Sequence, residues 1–125
     1  MIENNVSKMQ KVLIVCAHLS FFLGGLGFIF VPLAIMLVCR NDGFVRFHAK
    51  QALVCHLVIL VLALAILAAM VIAQVSGVDA IAYLSYLFMA AVIAAEAFYL
   101  FVTIIAAVQG CKGVYYKYPL IHKLA

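Results

Sequence analysis

Three apolar runs, from Val12 to Cys39, Ala52 to Ala73 and Ala80 to Val108, take up most of this 125-residue chain and leave it few ways to fold in water. A protein this small exposes much of its surface, and at 70% hydrophobic and 10% charged residues it lacks the polar side chains to cover a core. The expected solvent is lipid. About 20 apolar residues cross a hydrocarbon layer of about 30 Å, and the charges fall almost wholly between the runs.

The first run is too long for one upright span, since about 28 residues make a helix of about 42 Å. Gly24, Gly25 and Gly27, followed by Pro32, interrupt it. The reading is therefore all-α: a single integral membrane domain over 1–125, a four-helix bundle with helices at about 7–23, 26–39, 44–75 and 80–109. The first two form a short hairpin around the glycine turn, and an interfacial tail covers 110–125. Charge agrees with this count. Positive flanks favour the cytoplasm, and four helices put Lys8, Lys11, Arg40, Arg46, Lys50, Lys112, Lys117 and Lys123 on one side with both termini cytoplasmic. Lys8 and Lys11 before an apolar run look like a signal peptide, but no small-x-small cleavage site follows, so a retained helix is expected. Ala65, Ala69 and Ala73, and again Ala91 and Ala95, recur at helical spacing and are the expected packing seams.

Little here points to catalysis. Cys16, Cys39, Cys55 and Cys111 are scattered without a CxxC pair and read as free thiols. No nucleophile-base pair, phosphate loop or metal set can be assembled from spacing, so no enzyme activity, cofactor or metal is expected. The tail alternates Lys112, Tyr115, Tyr116, Lys117, Tyr118 and Lys123; directly after a membrane helix these read as interface anchors, with Pro119 ending regular structure, rather than as a nucleic-acid surface.

Three groups of polar residues need a role. His48, Gln51 and Cys55 share one helix face, with Lys50 off it; His48 is read as a structural hydrogen-bonding residue, with ligand binding or pH sensing as the functional alternative. The turn Asn41-Asp42-Gly43 opens that helix, Phe44 and Phe47 are expected to anchor it at the interface, and Arg46 and Lys50 to reach headgroups. His48 and Gln51 are then expected to tie the helix start to the end of the first hairpin. His18 and His56 sit at similar depth and are expected to meet. Glu96 is the one acid deep in an apolar run; it is expected to be neutral and bonded to Ser20, Ser85, Tyr99 or a backbone carbonyl, with a proton or ion pathway as the alternative.

The segment Phe44-Val45-Arg46-Phe47-His48-Ala49-Lys50-Gln51-Ala52-Leu53, with Ala17-His18-Leu19-Ser20 before the glycine turn and Pro32-Leu33, and the closing Gly113 to Leu120, resembles the Tic-twenty-like family of small membrane proteins. That resemblance covers nearly the whole chain. It implies a membrane helical fold and a protein-translocation role like that of the plastid import subunit the family is named for. A second branch with a similar FHAKQ stretch holds the magnetosome protein MamF and its relatives; this chain departs from it at Cys55, His56 and the YYKYPL tail. The resulting expectation is a non-enzymatic subunit or scaffold in the bacterial cytoplasmic membrane. Its partners are the bilayer, other membrane proteins or itself as an oligomer, and not nucleic acid. A proton or ion conductor using Glu96 and a magnetosome-type protein are the alternatives.

Overall fold

The computed structural model describes residues 2–124. Ser7 opens helix α1 (Lys8–Leu19) with a capping box shared with Gln10. A 3-10 turn, Ser20–Leu23, carries the chain on to Gly24 and Gly25, whose φ angles of 64° and 52° suit glycine alone among unstrained residues. Helix α2 (Gly27–Val38) runs back. Asp42 then starts helix α3 (Gly43–Ser76) by accepting the Val45 amide at 3.0 Å, which satisfies one of the amides a helix start leaves free. Gly77 ends α3 in the left-handed conformation, and helix α4 (Asp79–Cys111) returns. The tail finishes in a second 3-10 turn, Ile121–Lys123. Among the described residues there is no strand, only a single bridge between Ile2 and Val114.

Four α-helices are present among the described residues, but they are unequal. At 1.5 Å per residue α3 and α4 are each about 50 Å long, whereas α2 is about 18 Å, well short of a 30 Å hydrocarbon layer. Two helices, α3 and α4, are long and apolar enough to cross a membrane; their most apolar stretches are only 17% and 33% buried, which separates them from the core helices of a soluble protein. The first hairpin reaches only partway along them. Its Gly24 turn lies beside Leu60 and Ala63 of α3 and Glu96 of α4, so the short hairpin expected from the sequence stands at about half the height of the two long helices. The cause is local: the two glycines turn the chain after the 3-10 turn, before α1 has reached the length of a span.

Beyond that turn α3 and α4 pair alone. Ser85 holds them together, its hydroxyl lying 2.9 Å from the Ile81 carbonyl of its own helix and 3.3 Å from Ala69 O of α3. The alanine seam is accordingly narrower than its spacing predicts: Ala73 is buried and Ala69 and Ala95 are half-buried, while Ala65 and Ala91 are exposed. At the opposite end several polar contacts gather the chain. The Glu3 amide donates to Gly113 O at 2.7 Å, Tyr115 Oη donates to Glu3 at 3.2 Å, and Gln10 Nε2 donates to Asp42 at 2.9 Å. The first residues, the α2–α3 loop and the start of the tail therefore share one end of the bundle.

Candidate functional site

The polar centre of the molecule is a hydrogen-bonded row through α1, α3 and the tail. His48 Nε2 lies 3.0 Å from the Val114 carbonyl, His48 Nδ1 lies 3.1 Å from His18 Nε2, and His18 Nδ1 lies 2.8 Å from Tyr118 Oη. The carbonyl fixes the direction of the whole row, because it only accepts. Neutral His48 must therefore carry its proton on Nε2, leaving Nδ1 to accept from His18 Nε2–H. Neutral His18 then accepts at Nδ1, and Tyr118 must donate to it. Each proton in the row is thus assigned by the partner beyond it, an inference from heavy-atom positions. His18, His48, Tyr118 and the neighbouring Thr103 are all fully buried, so a missing partner would leave a desolvated donor or acceptor at a cost of about 1–3 kcal/mol.

Packing holds the row in register. Phe44 and Phe47 meet the His48 ring edge to face, with centroids at 4.8 Å and 5.4 Å, and both also pack on Tyr115, at 4.8 Å and 5.1 Å. Phe44 is buried and Phe47 half-buried, so these rings form a wall around the histidine and not the expected interface anchors. Lys50, off that face, is exposed as expected. Gly110 of α4 makes the approach possible: a Cβ there would lie 2.6 Å from Ile14 Cγ2 and 3.0 Å from His48 Cε1.

A second histidine contact follows from a proline. Pro32 has no amide hydrogen, so the carbonyl four residues earlier, that of Phe28, loses its partner within α2. His56 supplies one: its Nδ1 donates to Phe28 O at 2.5 Å. This ties α3 to the short hairpin. The other ring nitrogen, Nε2, is buried without a hydrogen-bond partner among the described residues. His18 and His56 therefore meet as neighbours, as expected, but no hydrogen bond joins their rings; the His18 ring is engaged by His48 and Tyr118, and the His56 ring by the backbone that Pro32 exposes.

The tail is placed differently from the sequence expectation. It climbs between α3 and α4 instead of lying flat at an interface. After Val114 meets His48, the Tyr118 amide lies 3.4 Å from Gln51 Oε1, Tyr99 Oη donates to Pro119 O at 3.0 Å, and Ile121 packs with Tyr118 in a cluster containing Cys55 and Ile59. From His48 to Ile59 that is about 16 Å along α3. Tyr118 is fully buried, Tyr115, Tyr116 and Pro119 are half-buried, and of the predicted anchors only the lysines, Lys112, Lys117 and Lys123, are exposed. Burial raises the Tyr118 phenol far above its ordinary value and also raises Tyr116; burial, then the nearby Glu3 carboxylate, raises Tyr115. His48 and Gln51 consequently tie the third helix to α1 and to the tail, not to the end of the first hairpin.

Glu96 stands apart from this row. It is half-buried and lines an open slot of about 300 Å³ between the hairpin and the two long helices. None of the hydroxyls proposed for it is used there: Ser20 donates to Ala17 O, Ser85 to Ile81 and Ala69, and Tyr99 to Pro119. Among the described residues no group of three or more His, Cys, Asp or Glu side chains is arranged to hold a metal ion.

The architecture so far is that of an all-helical protein with two helices able to cross a membrane, closed at one end by a buried histidine row. Residues 9–125 match the magnetosome magnetite crystal formation protein family, and the chain belongs to it. It is a membrane protein of that family. No curated protein and no solved structure matches. The match falls on the magnetosome branch that the sequence reading ranked second; the Tic-twenty-like label and the translocation role it implied gain no support. Cys55 and His56, the departures that weighed against this branch, are interior residues of the bundle.

Proposed function

We propose that the chain is a non-enzymatic magnetosome membrane protein that takes part in magnetite crystal formation as a scaffold or subunit. The family match over 9–125 carries this reading. The geometry supports a structural part over a catalytic one, because the buried histidines and tyrosines spend their hydrogen bonds on holding the tail against α1 and α3. What remains for partners is the lipid-facing surface of α3 and α4, where Leu64, Leu67, Val71, Leu84 and Leu87 are all exposed. Other membrane proteins or further copies of this chain would associate there. We place both ends of the chain on the cytoplasmic side, in keeping with the positive flanks.

The test is removal of the chain from a magnetite-forming bacterium, with crystal size and number measured by electron microscopy and with a tagged copy restored. Altered crystals that revert on restoration, and enrichment of the tagged copy with the crystal-bearing membrane, are expected. Unchanged crystals after complete loss of the chain would count against the reading. Labelling of introduced cysteines at positions 4 and 124 from opposite faces of the membrane would reject the shared sidedness.

A further inference from the structure

We propose that the slot lined by Glu96 binds a lipophilic organic cation, with the carboxylate as its counter-charge. The site is independent of the crystal-formation reading. Its depth follows from length alone. A hydrocarbon layer covers about 20 residues of an upright helix, and wherever such a window is laid along the 33 residues of α4 it includes residues 92–98. The same reasoning on the 34 residues of α3 always includes 57–62. Glu96, Ile59 and Leu60 therefore lie within the hydrocarbon for every placement of the bilayer.

At that depth an acid is costly, by a few kcal/mol on insertion scales, and no lysine or arginine is at hand to offset it: neither α3 beyond Lys50 nor α4 contains one. Around Glu96 the walls are apolar and aromatic. The hairpin contributes Phe21, Gly24 and Phe28, and α3 contributes Ile59, Leu60 and Ala63. A volume of about 300 Å³ falls at the small end of ligand pockets. The chemistry of the walls selects the occupant. A hydrated inorganic cation needs several oxygen ligands, and this slot offers one carboxyl group. A lipid tail would fill the walls but leave the acid unused, and an anion would meet repulsion. A bulky cation with apolar substituents satisfies both, its charge near Glu96 and its substituents against Phe21 and Phe28, whose rings attract cations.

The test uses the full chain in nanodiscs of zwitterionic lipid with two probes of one shape and opposite charge, tetraphenylphosphonium and tetraphenylborate. Saturable binding of the phosphonium alone is expected, weakened about tenfold or more in Glu96→Gln, a loss of about 1.4 kcal/mol or more, and retained in Glu96→Asp. Thermal unfolding of each variant checks that the fold is intact; Glu96→Gln removes the acid without changing its shape and is expected to be at least as stable. The proposal is overturned if wild type shows no saturable phosphonium binding, if Glu96→Gln binds as wild type does, or if the borate binds equally well, which would make the slot an apolar surface for acyl chains only.

Discussion

Replacing Gly110 by alanine should disrupt the buried row through a single methyl group. The new Cβ would lie 2.6 Å from Ile14 Cγ2, 3.0 Å from His48 Cε1 and 3.3 Å from His48 Nδ1, the first closer than carbon atoms approach. Neither neighbour can yield cheaply. Ile14 is fully buried and β-branched, and the His48 ring is bonded through both nitrogens. Overpacking of this kind costs about 1–3 kcal/mol, and displacement of His48 from Val114 adds about 1 kcal/mol for the lost bond. Opposing these is the helix preference of alanine, at most about 1 kcal/mol and less at the penultimate position of a helix. The net expectation is a loss of about 1–3 kcal/mol, with the tail released first because His48 holds Val114. Thermal unfolding in detergent gives the stability, and hydrogen exchange of the tail amides from Gly113 onward shows where it is lost. Gly43→Ala is the control, since nothing lies within 4 Å of a Cβ there, and should be near neutral. A Gly110→Ala protein as stable as wild type, with tail amides equally protected, would refute the close approach and the row built on it.

Tyr118→Phe should cost about 1–3 kcal/mol by leaving His18 Nδ1 buried without a donor, read as lower thermal stability and faster tail exchange; unchanged stability would mean the hydroxyl is not needed there. His56→Leu should cost about 1 kcal/mol less in a Pro32→Ala background than in wild type, because an amide at 32 can take over the Phe28 carbonyl; equal costs in both backgrounds would break the link. Stability should also hold below about pH 10, the ordinary phenol value, and fall above it. The sign follows from linkage: Tyr115, Tyr116 and Tyr118 are all raised by burial in the fold, so the unfolded chain loses its phenolic protons first and is favoured as pH rises. Tyrosinate absorbance during an alkaline titration, followed together with unfolding, checks this; ionisation of every tyrosine with the fold intact would contradict the buried tail.

Much of the fold could be read from the chain because its causes are local. The apolar runs announce α3 and α4, Gly24 and Gly25 announce the turn, and Asp42 before Gly43 announces the start of α3, each within a few residues of the element it sets. The inward face of His48, Gln51 and Cys55 was legible for the same reason, from helical spacing. The height of the hairpin was less so. It depends on where the chain turns relative to helices not yet formed. The tail was misread because Tyr and Lys after a membrane helix have the same composition whether they lie at an interface or climb into a groove; only the partners His18, His48 and Tyr99, distant in sequence, decide. Two signals did exist. Gly110, the one glycine in α4, marks a close neighbour, and Pro32 in a helix marks an unpaired carbonyl at Phe28 that some donor must reach.

The position of the tail bears on how the molecule is made. Residues 113–124 leave the ribosome after all four helices, yet they carry the Val114 carbonyl and the Tyr118 hydroxyl that end the histidine row. Until then His18 and His48 have each other but lack their outer partners. The bundle is thus completed by a segment synthesised after its helices, as an arch is by its keystone, and a newly inserted chain should pass through a stage in which the four helices are in the membrane while its polar centre is still open.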